Sequence, residues 1–356
     1  MKKAFVLAFI LMFSLSVLAF ATSLNFLGSF EPPKEGWTFD GTDVGGISGL
    51  TLAPDGSFYG VCDDKGESVD PPGVLYHLDI DFGLNGIEGV SVLDIVQLKT
   101  PDGSLYSAGS IDAEDLLWTP KGFIVSSERD LGNNPWVRTF TLDGKFVSEI
   151  PIPDKFIPLF NAKEEQVRGV RENLSFEASA ITSDYTTLFV MNEQALVQDG
   201  GVSTPESGTP VRLLKYDLSS DLPVLIGEFV YITEPMFGTP PEGKFGDNGV
   251  PGMVYVGHII PEFDLIVMER SYVPGQGNQI GLFGVKFDTG AKVQLLIISD
   301  NLDLTDISFD PDNMEAIALG PQLSNGNYSL IIASDNNFNP KYQRNVFAAF
   351  EIVPEE

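Results

Sequence analysis

One hairpin pattern is written five times into this chain of 356 residues, and that repeat limits the fold more than any other feature. The units are GGISGLTLAPDGSFYGVCDD from Gly45, IDAEDLLWTPKGFIVSSERD from Ile111 and SFEASAITSDYTTLFVMNEQ from Ser175. GMVYVGHIIPEFDLIVMERS from Gly252 and NMEAIALGPQLSNGNYSLIIASDNN from Asn313 complete the set. Each reads as an apolar strand, a turn, a second apolar strand and an acidic end. Pro54-Asp55-Gly56 and Ser324-Asn325-Gly326 are hairpin turns by composition. The units lie roughly 60–75 residues apart, and each interval has room for two more strands. Strand-like runs fill it: 74–80 and 90–98, 136–142 and 146–150, 211–218 and 224–232, 280–287 and 293–299. Four antiparallel strands per unit make the blade of a β-propeller. The last unit has 346–353 but lacks a fourth strand, and residues 24–30 can supply it, closing the ring and hiding a sheet edge. The expectation is therefore an all-β chain, a five-bladed propeller closed by its N-terminal strand. A sixth blade has room in the irregular stretches 151–173 and 234–250, and a pair of β-sandwiches is the plainer alternative.

Residues 1–21 read as a signal peptide, leaving 22–356 as a single domain. Lys2 and Lys3 precede an apolar run over 4–18, and Ala19-Phe20-Ala21 fits a small-residue cleavage site. The run is shorter than the roughly 20 residues that span a bilayer comfortably, which favours cleavage over anchoring. No later segment is apolar for that length, so no membrane insertion is expected after cleavage. The chain reads as exported, to a periplasm or to the outside of the cell. Asp and Glu total 50 against 21 Lys and Arg, a formal charge of −29. That charge excludes a nucleic-acid binder and disfavours an anionic membrane surface.

The acids follow the repeat. Glu114, Glu177 and Glu315 stand at the start of a first strand, with Ser48 and Tyr255 near that place in the other two units. The second strands end in Asp63-Asp64, Glu128, Glu193, Glu269 and Asp335. In an antiparallel hairpin the start of one strand lies beside the end of its partner. The acids should therefore gather at one mouth of the central channel. So many carboxylates must be neutralised by protons, arginines or cations. With one cysteine, Cys62, and two histidines, His77 and His258, the donors are oxygens. Oxygen donors suit Ca²⁺, with Mg²⁺ and Mn²⁺ behind it. The candidate ligands are Asp64, Glu114, Glu128, Glu177, Glu193, Glu269, Glu315 and Asp335. The competing reading makes them struts, bonded to backbone N–H groups of the next blade or to Arg129, Arg168 and Arg270. Both histidines read as packed residues rather than members of a catalytic triad.

In order along the chain, the motifs resemble the phytase-like family, "esterase-like activity of phytase". They are Gly45-Gly46-Ile47-Ser48-Gly49-Leu50 with Cys62-Asp63-Asp64, then Asp112-Ala113-Glu114 with Ser126-Ser127-Glu128. Asn173-Leu174-Ser175-Phe176-Glu177 follows, with Asn192-Glu193 and Asp199-Gly200. Met268-Glu269-Arg270-Ser271 comes next, and Asn313-Met314-Glu315 with Ser334-Asp335-Asn336-Asn337-Phe338 closes the series. Asp115, Ala178 and Ala316 stand where the family commonly has glycine after its glutamate. The resemblance implies an exported propeller that cleaves phosphoesters or esters. On that reading calcium offsets the phosphate charge of a small phosphorylated molecule. Glu128 or Glu269 serves as the base, and Arg129 and Arg270 hold phosphate oxygens. The other reading is a non-catalytic propeller that binds a ligand or partner, with calcium in a structural place.

Overall fold

The computed structural model describes residues 22–83, 86–287, 289–299 and 310–354. The expected signal peptide lies outside the described residues. Apolar runs separated by tight turns form hairpins wherever a polar side chain and a glycine close the loop. At the first turn Gly56 takes φ +91°, and Asp55 accepts a hydrogen bond from the Ser57 N–H at 3.1 Å. The left-handed position costs glycine nothing, and the carboxylate satisfies a turn donor.

Four-stranded antiparallel sheets follow one another around the ring. Blade one runs outward through Ile47–Leu52, Phe58–Cys62, Val74–Gly83 and Gly86–Gln97. Blade two is Ala113–Thr119, Gly122–Ser127, Trp136–Phe140 and Phe146–Ile150; blade three is Phe176–Ile181, Thr187–Asn192, Pro210–Asp217 and Val224–Ile232. Blade four is Asp247–Tyr255, Leu265–Val273, Gly277–Lys286 and Ala291–Ser299. Blade five takes Met314–Gln322, Tyr328–Ser334 and Phe347–Val353 from the end of the chain, and its outer strand, Ser23–Phe30, from the beginning. Ser23 lies opposite Val353 and Phe30 opposite Phe347, so the ring closes as the sequence suggested.

The stretch 151–173 holds a short 3₁₀ turn, Asp154–Phe156, and a ribbon of Leu159–Phe160 with Gln166–Arg168. The stretch 234–250 has no strand before Asp247. Among the described residues there are five blades, and the room left for a sixth is taken by these connections.

The core is divided into five apolar layers, one between each blade and the next. Ile331, Ala333 and Phe347 of blade five pack with Ile47, Phe58 and Tyr76 of blade one. Val61 and Leu75 meet Leu116 and Val125; Ile124 and Val137 meet Phe176 and Val190. Met191 and Leu213 meet Val250 and Val267; Ile266 and Met268 meet Ile317 and Ile332. Each sheet therefore buries both faces, and its second strand reads as an almost unbroken apolar run. Side chains on such a strand alternate between the two neighbouring blades, a parity that governs the site.

Candidate functional site

Every innermost strand carries a bulge just inside its first residues. Register shifts fall between Ile47 and Gly49, Ala113 and Asp115, Phe176 and Ala178, Gly249 and Gly252, and Met314 and Ala316. The extra residue is Ser48, Glu114, Glu177 or Glu315, and in blade four the pair Val250-Pro251. A bulge re-aims the side chain it releases from the ladder. Here the same defect, repeated five times, places three glutamates at one mouth. Tyr255, expected near this place, pairs with Leu265 at the other end of the strand; Val250-Pro251 stand there instead.

Two triads of carboxylates result. Asp63, Glu315 and Asp335 bring one oxygen each within 4.8 Å of one another, and Asp112, Glu114 and Glu128 do the same. Glu177, Glu193 and Asp247 continue the ring: Glu193 raises the pKa of Glu177, and Asp247 that of Glu193. Close approach is made possible by glycines. A Cβ on Gly46, which has φ +63°, would lie 2.5 Å from Asp63 Oδ1, and one on Gly249 would collide with Glu193.

Burial, then like charge, pushes these carboxyls up. Asp63, Glu114, Glu177, Glu193 and Asp335 all rise well above the usual range. Glu128 is pushed up to about 7 by burial and by Asp112, against the Ser175 N–H and Arg129, which pull it down. Ser175 N–H donates to Glu128 Oε1 at 2.6 Å, and Ser48 Oγ donates to Glu114 Oε2 at 2.7 Å.

Three cations reach into the ring. Arg129 Nε and Lys65 Nζ each lie 2.8 Å from Asp112 Oδ2. Arg270 pairs with Glu315 and with Asn313, and its Nη2 is 3.4 Å from Glu193. Both arginines expected to hold phosphate are thus bound to carboxylates. Asp112 Oδ1 is buried and has no hydrogen-bond partner among the described residues.

Two expected ligands sit elsewhere. Asp64 turns back onto its own loop, where it accepts from the N–H groups of Glu67, Ser68 and Val69. Its neighbour Asp63 takes the mouth. Glu269 faces blade three, where it accepts from the Tyr231 hydroxyl at 2.5 Å and from the Glu234 N–H at 2.7 Å. Asn248 Nδ2 and Lys292 Nζ complete its shell at 2.7 Å each. Glu114, Glu128, Glu177, Glu193, Glu315 and Asp335 do come together. Asp63, named at its strand end but not among the expected ligands, joins them, as do Asp112 and Asp247. The first two lie inside motifs already quoted, beside the acids that were chosen. His77 stacks on Tyr59 and bonds Ser57 near the opposite turn, far from any nucleophile–base pairing at the mouth.

A sequence profile described as phytase-like, "Esterase-like activity of phytase", matches residues 42–338. The chain belongs to this family. A curated relative, described as an uncharacterized secreted protein of Arthroderma benhamiae, is 27% identical over 241 residues. The match takes in 59% of this chain and 45% of that one, so the phytase-like chain spans under half of its relative. Among solved structures, an N-acetylgalactosamine deacetylase from F. plautii aligns with TM-score 0.47 and 9% identity, over 93% of this chain and 95% of the other. A periplasmic gluconolactonase of Pseudomonas aeruginosa aligns with TM-score 0.38 and 11% identity, over 94% and 96%. Neither likeness bears on the chemistry of the mouth.

Proposed function

We propose that this phytase-like protein is an exported hydrolase of small phosphorylated molecules that depends on a divalent cation, with calcium the ion its donors suit best. The carrying observation is the pair of carboxylate triads at one mouth of the channel. The donor set fits a hard cation: it is all oxygen, partly buried, and includes one carboxylate oxygen of Asp112 with no bond. Asp63, Glu315 and Asp335 would hold one ion, and Asp112, Glu114 and Glu128 a second. Bound divalent ions would offset phosphate charge and polarise the phosphorus–oxygen bonds.

The remaining acids have roles of their own. Glu177 belongs to neither triad and shares a hydrogen bond with Glu193. Burial and Glu193 hold its proton further up the pH scale, so it can donate that proton to a leaving alkoxide. Glu128 has one oxygen fixed by Ser175 and stays with its triad. Arg129 and Arg270 set the shape of the ring by holding Asp112, Glu193 and Glu315 in place.

The same mouth can be read as a binding site in a non-catalytic propeller with structural calcium. The bonds that cross between blades favour it: Asp115 accepts from Ser179 N and Oγ at 2.7 Å each, and Glu128 accepts from the Ser175 N–H at 2.6 Å. The test is an assay of the purified protein on 4-nitrophenyl phosphate, phytate and 4-nitrophenyl acetate, with calcium and with EDTA. Calcium-dependent phosphate release supports hydrolysis. Calcium-dependent stability without turnover of any substrate supports the binding propeller.

A further inference from the structure

Blade three has the least defended outer edge of the ring. Its outer strand, Val224–Ile232, is last in the sheet, so its outward N–H and C=O groups have no strand to pair with among the described residues. Val224, Leu225, Ile226, Val230 and Ile232 are exposed, and Leu222, just before the strand, is 78% exposed. Sheet edges are normally blunted by shortness, by charge or by cover. The other four blades show these devices. The outer strand of blade two has five residues, and that of blade four carries Lys292. The outer strand of blade one carries exposed Glu88 and Asp94, and that of blade five packs against it. Blade three's has no lysine, arginine or proline, and a single acid.

That acid, Glu228, is neutralised within the chain. Lys155 Nζ lies 2.6 Å from its Oε1 and Arg212 Nη1 2.9 Å, while Arg212 also holds Asp199. Two cations and two carboxylates cancel, in a molecule whose formal charge is −29. The cancellation bears on the partner. Copies of so acidic a chain repel one another, and this edge lets them meet without bringing unpaired like charges together. Lys292 closes one backbone group, the Ile232 carbonyl, at 3.0 Å. A register shift frees Ile226 from the ladder with Pro210–Asp217, and beyond it residues 227–232 pair without a break. An extended edge is satisfied by another extended edge, and its apolar side chains by apolar side chains.

We infer that the outer strand of blade three pairs antiparallel with the same strand of a second copy of this chain, about a two-fold axis. The contact is isologous: each copy covers the other's edge, so assembly closes at the dimer. Such a dimer depends on neither calcium nor hydrolysis at the mouth.

Sedimentation equilibrium of the mature chain in EDTA tests the contact. The wild type should show a monomer–dimer equilibrium. Added salt should strengthen it, because salt screens the repulsion between acidic copies and spares apolar contacts. Val230→Lys and Ile226→Lys should each weaken the dimer at least tenfold. Val293→Lys, on the outer strand of blade four, should change it less than twofold. Hydrogen exchange locates the contact without a mutation: amides within 224–232 should gain protection as the wild-type concentration rises. A dimer that forms with no protection there, or that is equally strong in Val230→Lys, would overturn the pairing. So would a wild type that stays monomeric at every concentration, including one that binds neutral phosphatidylcholine vesicles and so gives the strand to a lipid surface.

Discussion

Blades two and four each carry Glu-Arg on their second strand, just past its end in blade two and inside it in blade four, and the two dipeptides do opposite things. In blade two, Glu128 takes the mouth and faces Ser175 of the segment entering blade three. In blade four, Glu269 turns back to Tyr231 of blade three, while Arg270 takes the mouth and reaches Asn313 and Glu315 of blade five. Strand parity explains the exchange. Ile124 packs into the layer between blades two and three, and Glu128 follows it at even spacing. Leu265 and Val267 pack toward blade three and Ile266 and Met268 toward blade five, so Glu269 and Arg270 follow the same alternation. A shift of one residue sends a side chain to the other face of the sheet.

Arg270 therefore occupies the place that Glu128, Glu193 and Asp335 occupy in the other blades. It supplies a fixed cation between Glu193 and Glu315, and Asp247 and Glu177 also hold its proton on. The mouth is thus divided. Its blade-four side carries Arg270 alone, between Glu193 and Glu315, and its blade-two side carries Arg129 and Lys65 together on Asp112, so each triad includes one paired carboxylate. That division predicts where a mutation breaks the fold and where it breaks only metal binding.

The largest effect falls on Arg270. Its replacement by Met leaves Glu193 and Glu315 buried with no positive partner, a loss of about 3–5 kcal/mol. A melting temperature lower by roughly 6–10 °C is expected. Arg129→Met should cost less than half as much, because Lys65 still lies 2.8 Å from Asp112. Equal losses measured by thermal denaturation would contradict the division.

Next in size is the response to pH without calcium. Carboxyls whose folded pKa is raised bind protons more tightly in the native state than in the unfolded one. Their contribution is complete at low pH and is lost as pH climbs through the folded value. For Glu128 the window runs from 4.5 to about 7. The melting temperature in EDTA should fall across that interval, and calcium should abolish most of the fall. Asp115, pushed up to about 8 by burial, sits on an inter-blade strut away from the mouth. A shallower slope running from 3.8 to about 8 should therefore persist with calcium and level off above that. An EDTA profile no steeper than the calcium profile would show that the mouth acids titrate normally.

The fold was legible because its signals are local and repeated: Asp-Gly and Asn-Gly turns, apolar runs, and a C-terminal unit one strand short. The mouth was legible as a set of acids but not residue by residue. Asp63 and Asp64 are adjacent, and only the turn formed by Glu67, Ser68 and Val69 decides which of them is captured by backbone N–H groups. Asp112 stood two residues before Glu114 and was passed over because the hairpin rule concerns strand ends. Glu269 matches Glu128 in sequence as an acid at a second-strand end. The pairing that disproves the match lies in the longer blade-four strand, which continues through Arg270 opposite Gly249. No spacing in the sequence announces the two-residue bulge of Val250 and Pro251.

The smallest effects sharpen the comparison most, since they set two isosteric changes side by side. Glu128→Gln removes one charge from a triad and keeps the acceptor that Ser175 needs. It should weaken calcium about tenfold, or about 1.4 kcal/mol, with a matching loss of any calcium-dependent turnover. Glu269→Gln leaves the mouth intact. The amide oxygen keeps the Glu234 N–H and Asn248 Nδ2 bonds, the Tyr231 hydroxyl can turn to accept from the amide nitrogen, and Lys292 keeps Glu234 as an ionic partner at 2.9 Å. The other amide hydrogen then faces Lys292, a mismatch worth about 1–2 kcal/mol of stability. Calcium affinity should stay within about twofold of the wild type, because sites without shared partners act nearly independently. Calcium titrations of the two variants by calorimetry give the answer. If Glu269→Gln weakens calcium as much as Glu128→Gln does, then Glu269 reaches the ion, and strand parity does not govern which half of each Glu-Arg pair enters the mouth.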